Sequence, residues 1–198
     1  MNSFFWVVHP DVPAKSLKEL GAYGRANPDK LTVGSSSATG SIAPSLFAAA
    51  EKVKLQVILY KSETTALNDI LGGRIQMMLI TGTLAQHVRD GKVRGLATLL
   101  PQRSKALPDL PTMAEAGLPG YEFVAWLALF APAKTPAPIV NQLAEMANAI
   151  VRSPGMQEYL ARMYALPYPG TPESLRLLVE RDTARWGQLI RTAGIEPE

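Results

Sequence analysis

The chain has 198 residues, enough for one domain or two small lobes around a buried core. With 47% hydrophobic, 19% charged and 7% aromatic residues it has the balance of a folded globular protein, which excludes a disordered or acidic solvating chain. Twenty Lys and Arg against seventeen Asp and Glu leave a charge of +3 with no basic stripe, and there is no cysteine. Nucleic acid is therefore not expected as a partner, disulfides and thiolate-ligated zinc are excluded, and two histidines cannot build a histidine-rich metal centre. No cofactor is expected.

Residues 1–9 lack a basic leader, and their apolar run is too short for an export signal or a membrane span, so this stretch is read as carrying neither. No other run reaches membrane length, and no direct membrane insertion is expected.

Phe4–Val8 is aromatic and β-branched and stops at His9-Pro10, which predicts a first strand. Ser16 caps a predicted helix with Leu17, Leu20, Tyr23 and Ala26 at helical spacing, ended by Asn27-Pro28. Strands follow at 30–34, 55–59, 75–80 and 93–99, alternating with helices at 42–52, 63–71 and 83–89. The small polar stretch 34–41 is read as a strand-to-helix loop. Such alternation, with near-continuous apolar strands, argues an α/β fold whose parallel sheet is covered on both faces.

Prolines 101, 108, 111 and 119 then mark a linker or crossover over 101–120. A long strand is predicted at 121–130, and a short one near Leu166. Ile139, Leu143, Met146 and Ile150 form one helical face, Ser153-Pro154-Gly155 breaks it, and a short helix covers 156–163. Thr171-Pro172-Glu173-Ser174 opens a last helix with a stripe of Leu175, Leu178, Val179, Trp186, Leu189 and Ile190. These helices have too few strands to cover, which points to an absent partner on the N-terminal side.

Three strand ends carry the candidate site. Ser36, Ser37, Ala38, Thr39, Gly40 and Ser41 lie between a strand and a helix, where backbone N–H groups and the helix dipole favour an anion. The loop is neither a Walker loop nor GxGxxG, and taken alone it reads more as a plain capped turn than as a ligand site. Tyr60-Lys61-Ser62-Glu63 follows the next strand, and Thr81-Gly82-Thr83 the one after, on the same rim, with Tyr60, Lys61 and Thr81 taken as binding residues. His9, His87 and the scattered carboxylates form no triad or acid–base pair, and Trp126, Trp186 and Met77-Met78 read as core. Catalysis has no support in the sequence.

Several stretches resemble one family. They are 8–16, Asn27-Pro28-Asp29-Lys30-Leu31-Thr32, Tyr60-Lys61, Leu71-Gly72-Gly73, 91–97, Ala131-Pro132-Ala133-Lys134-Thr135-Pro136 and, most specifically, Leu107-Pro108-Asp109-Leu110-Pro111-Thr112 with Glu115-Ala116-Gly117-Leu118-Pro119-Gly120-Tyr121. The chain is similar over these to the Bug-type substrate-binding proteins of tripartite tricarboxylate transporters. The resemblance implies a periplasmic receptor with a type II periplasmic-binding-protein-like, two-lobed fold and parallel-rich sheets. It closes on a small carboxylate and delivers it to membrane subunits. It also implies a strand crossing between lobes at 1–9, a middle lobe with crossover at 10–120, and the remainder of a terminal lobe at 121–198, whose first part is expected to be missing here.

The family's Ser-Ser-Gly-x-Gly-Ser loop falls on Ser36, Ser37, Ala38, Thr39, Gly40 and Ser41, with Ala38 in place of a glycine. Its Tyr-Lys-Gly falls on Tyr60, Lys61 and Ser62, Gln76 stands where an aspartate is usual, and the loop 81–86 is about one residue shorter. The expected function is that of an incomplete solute receptor for a small organic acid. A small α/β anion-binding or hydrolytic domain, or a nonfunctional remnant, is the alternative.

Overall fold

The computed structural model describes residues 4–121 and 123–192. Residues 1–3, 122 and 193–198, which the expected segments 1–9 and 121–198 include, lie outside the described residues.

The first strand, β1 (Phe4–Val8), has Phe5 to Val8 fully buried, and the two-residue period of a strand sends them to opposite faces. Trp6 and Val8 join a core with Val33, Met77 and Leu79, closed by Leu17 and Leu20 of α1 (Leu17–Ala26) and by Leu46 and Phe47 of α2 (Ala38–Glu51). Phe5 and Val7 join a second core with Met78 and Ile80, closed by Ala66, Leu67 and Ile70 of α3 (Glu63–Leu71). The sheet is thus covered on both sides, as the apolar strands predict.

Its order is β3-β2-β4-β1-β5, with β2 at Thr32–Ser35, β3 at Gln56–Leu59, β4 at Met77–Thr81 and β5 at Arg94–Thr98. β2 runs parallel to β3 and β4, whereas β1 runs antiparallel to both β4 and β5. The expectation of a parallel sheet is corrected at this one strand. β1 lies between β4 and β5 and makes an antiparallel ladder with each. A 3-10 turn at Gly82–Leu84 and α4 (Gln86–Arg89) link β4 to β5.

The proline-marked segment 101–120 is not a free linker. Thr98 N–H donates to the Pro111 carbonyl at 2.8 Å, Met113 N–H to the Thr98 carbonyl at 3.2 Å, and Met113, Ala106 and Leu107 are buried against the two cores. Thr112 and Glu115 bond each other's backbone N–H groups, a reciprocal cap.

The strand predicted at 121–130 does not form. Among the described residues only Ala125, and near Leu166 only Ala165, carry single bridge residues, and Leu127, Leu129 and Phe130 are exposed. The segment has strand composition, but a strand needs a hydrogen-bonding edge beside it. Its start is held instead by α7 (Pro172–Thr192): the Trp126 indole donates to the Asp182 carboxylate at 2.7 Å, and Phe123 lies 5.2 Å from Trp186, ring centre to ring centre. α7 also rests on α2, and Trp186, Leu189 and Ile190 pack on the first core. α5 (Ala137–Arg152) and α6 (Pro154–Arg162) bury no residue fully.

Candidate functional site

β2 and β4 end at one rim of the sheet, and the helix after β2 starts there. Ser37 caps α2, its hydroxyl accepting from Gly40 N–H at 3.1 Å, so the helix begins at Ala38 and not near residue 42. Thr39, Gly40 and Ser41, read from the sequence as loop, therefore lie in its first turn. The N–H groups of Ala38 and Thr39 have no carbonyl one turn back within the helix.

Ser35 is the buried hub beneath this turn. Its hydroxyl donates to the Ser37 carbonyl at 2.9 Å and accepts from the Ser41 hydroxyl at 2.9 Å. Gly40 is needed above it, because a side-chain carbon at that position would stand 2.7 Å from the Ser35 hydroxyl oxygen.

On the other side of the rim, the half-buried Glu63 at the first turn of α3 reaches back to the end of β4. Its carboxylate accepts from Thr81 N–H at 2.5 Å and from the Thr81 hydroxyl at 3.0 Å, and the Thr83 hydroxyl lies 2.7 Å from that of Thr81. Burial pushes the Glu63 carboxyl above its ordinary value, and the two Thr81 bonds oppose the rise.

Phe4, Gly34, Ser35, Ser36, Ser37, Gly40, Glu63, Met78, Leu79 and Thr81 together enclose a pocket of about 130 Å³. Of the residues predicted from sequence, Ser36, Ser37, Gly40 and Thr81 meet there. Thr39, Ser41, Tyr60 and Lys61 do not line it. Ser41 supports Ser35, and the Tyr60 hydroxyl donates to Asp69 at 2.8 Å, with Asp69 also held by Arg74. Lys61 is exposed at the entry to α3. Sequence reasoning placed Glu63 on this rim but counted neither it nor Ser35 among the binding residues. For Glu63 the available signal was its place directly after Ser62, whose hydroxyl caps α3 by accepting from Thr65 N–H.

The departures from the family pattern do little at this rim. Ala38 sits in an ordinary first helical turn, and Ser62 has an extended backbone that needs no glycine. Gln76 lies at the opposite rim, where it accepts from Thr32 N–H and hydroxyl and so ties β2 to the approach of β4. A larger concavity of about 400 Å³ lies at that opposite rim, between His9, Tyr23, Asp29, Lys30, Gly73 and Gln76. It is wider but faces the starts of β2 and β4, without a helix N-terminus of the kind that α2 offers.

A family model described as tripartite tricarboxylate transporter family receptor matches residues 1–195. Among curated relatives, a UPF0065 protein from the tcbD-tcbE intergenic region of Pseudomonas sp. (strain P51) is 35% identical over 188 residues, which cover 93% of this chain and 56% of that protein. Among solved structures, R. palustris Rpa4515 with adipate superposes with a TM-score of 0.86 at 32% identity, covering all of this chain and 67% of that one. The periplasmic binding protein BugD superposes at 0.83 and 31% identity, covering all of this chain and 68% of its own. The chain thus spans little more than half of that curated relative and two thirds of the solved chains. The fold is that of the periplasmic binding proteins. Among the described residues no helix is long and apolar enough to cross a membrane.

Proposed function

This chain belongs to the tripartite tricarboxylate transporter receptor family, and on that premise we propose that it binds a small organic acid at the Ser36–Gly40 rim as the solute-recognising part of an uptake system. The observation that carries the reading is the start of α2. The Ser36 and Ser37 hydroxyls and the close approach allowed by Gly40 meet in one pocket at the carboxyl ends of parallel strands, beside the positive end of the α2 dipole. A carboxylate there accepts charge-assisted hydrogen bonds without displacing any side-chain cation.

In this reading Thr39 and Ser41 hold the turn, Tyr60 steadies the neighbouring strand end through Asp69, and Lys61 supplies positive charge at the mouth. Residues 10–120 form one lobe and 121–198 contribute to a second, with the 1–9 strand crossing between them. The acid lies in the cleft between the lobes and is passed, in the periplasm, to the membrane subunits of the transporter. Its contact with both lobes favours the closed state.

The family is one of transport receptors and not of enzymes. Calorimetric titration with a panel of mono- and dicarboxylates and amino acids tests the reading. Binding by at least one, lost or weakened at least about tenfold by Gly40→Ala because the new methyl crowds Ser35 and the pocket floor, is the expected result. Equal binding by the Gly40→Ala protein contradicts it.

A further inference from the structure

The two walls of this pocket have opposite hydrogen-bonding character. On the α2 side stand donors: the Ser36 and Ser37 hydroxyls, at the positive end of the helix dipole. On the β4 side the donors are already used. Thr81 N–H and the Thr81 hydroxyl both point to Glu63, and since an ionised carboxylate only accepts, the Thr83 hydroxyl is the donor in its contact with Thr81. Thr81, expected from sequence to offer its hydroxyl to a ligand, has none left to give.

What this wall still offers is acceptor capacity, because each carboxylate oxygen of Glu63 has taken one hydrogen bond and retains a further lone pair. Glu63 also lines the pocket, and among the described residues no cation lies within ion-pair distance of it. A negative charge is therefore held, partly desolvated and without a counter-charge, in the same space of about 130 Å³ that faces the helix N-terminus. Both walls line that one small space, so a ligand held at one faces the other.

We infer that Glu63 is the specificity-determining residue of this rim, selecting an organic acid that carries a protonated amine a few bonds from its carboxylate. The carboxylate lies against the start of α2 and the ammonium against Glu63. A second carboxylate in the ammonium's place meets a like charge and finds the Thr81 donors taken. The inference rests on the proposed rim being the binding site.

The test pairs ligands that differ only by exchange of an ammonium for a carboxylate: β-alanine against succinate, and γ-aminobutyrate against glutarate. Each is titrated calorimetrically into the intact chain and into Glu63→Gln at about pH 8, where model carboxylates are ionised and aliphatic amines protonated. Gln keeps an acceptor for Thr81 N–H, and a melting curve checks its fold. The expected result is a preference of at least about tenfold for the amino acids in the natural chain, abolished or reversed in Glu63→Gln. Tighter binding of the dicarboxylates by the natural chain, or a preference that survives the substitution, overturns the assignment to Glu63 while leaving the rim in place. Absence of binding by all four ligands to both proteins overturns the rim reading itself, and this inference with it.

Discussion

Asp69 shows how single side chains fix the rim. It accepts from Arg74 through Nε at 2.8 Å and through a second guanidinium nitrogen, and from the Tyr60 hydroxyl at 2.8 Å, so the end of α3, the turn after it and the end of β3 are joined at one carboxylate. Arg74 first, and Tyr60 second, hold the Asp69 carboxyl below the usual carboxylate range. Because the folded value is depressed, the stabilisation is complete above the ordinary aspartate value of about 4 and is lost as the pH falls through the folded value. Asp69→Asn is therefore expected to lower the denaturation midpoint near pH 7, with the gap to the natural chain closing as the pH falls below about 4. A gap that stays constant across that range contradicts the linkage. Glu63 has the opposite sign: its raised carboxyl costs stability as the pH rises through the folded value. None of these pairings was legible in the sequence, since Tyr60, Asp69 and Arg74 meet only once α3 folds back on its strand.

At the scale of elements, the local code was plain where neighbours supply what it asks for. β1 to β5 and α1 to α3 follow from apolar period, capping serines and the proline and glycine stops, and each finds a packed face. The start of α2 was misplaced because Gly40 and two hydroxyl residues, Thr39 and Ser41, read as a loop, while the Ser37 cap turns them into the first helical turn. That cap carries a testable load. Ser37→Ala is expected to cost about 1 kcal/mol of stability by leaving Gly40 N–H unbonded, measured by chemical denaturation, and an unchanged midpoint contradicts the role given to it. The segment 121–130 failed for the converse reason: beyond the Phe123 N–H bond to the Leu99 carbonyl and the single bridge residue Ala125 no ladder continues along it among the described residues, and it is pinned at Trp126 and Phe123 to α7. A sequence reports a segment's preference for strand, but not whether a partner strand is present.

The whole molecule divides into a well-packed sheet covered by helices and an outer part that is not. Ile139, Leu143, Met146 and Ile150 form one stripe of α5, as their spacing predicts, yet all four are about half exposed, and Leu127 is 91% exposed. Apolar surface of this kind is unusual on a finished monomer. It accompanies the finding that the chain spans 56% of a curated relative and about two thirds of the solved structures it superposes on. The α/β class and the family were legible from the sequence, the family from the proline-rich stretch near 107–121 more than from the site. The hydroxyl and glycine residues of the site's donor wall were legible as candidates at a strand end, where a plain capped turn explains them as well. Its acceptor wall was not, because Glu63 and Thr81 lie eighteen residues apart and are joined by the packing of α3 on β4.

The central claim is that recognition takes place at the rim where β2 and β4 end. The most direct measurement is a backbone amide spectrum of the isotope-labelled chain, titrated with small organic acids and amino acids. The account predicts saturable shifts at Ser36 to Ser41 and at Thr81, with the opposite rim unmoved. Shifts confined to His9, Lys30, Gly73 and Gln76, around the wider concavity, would contradict it.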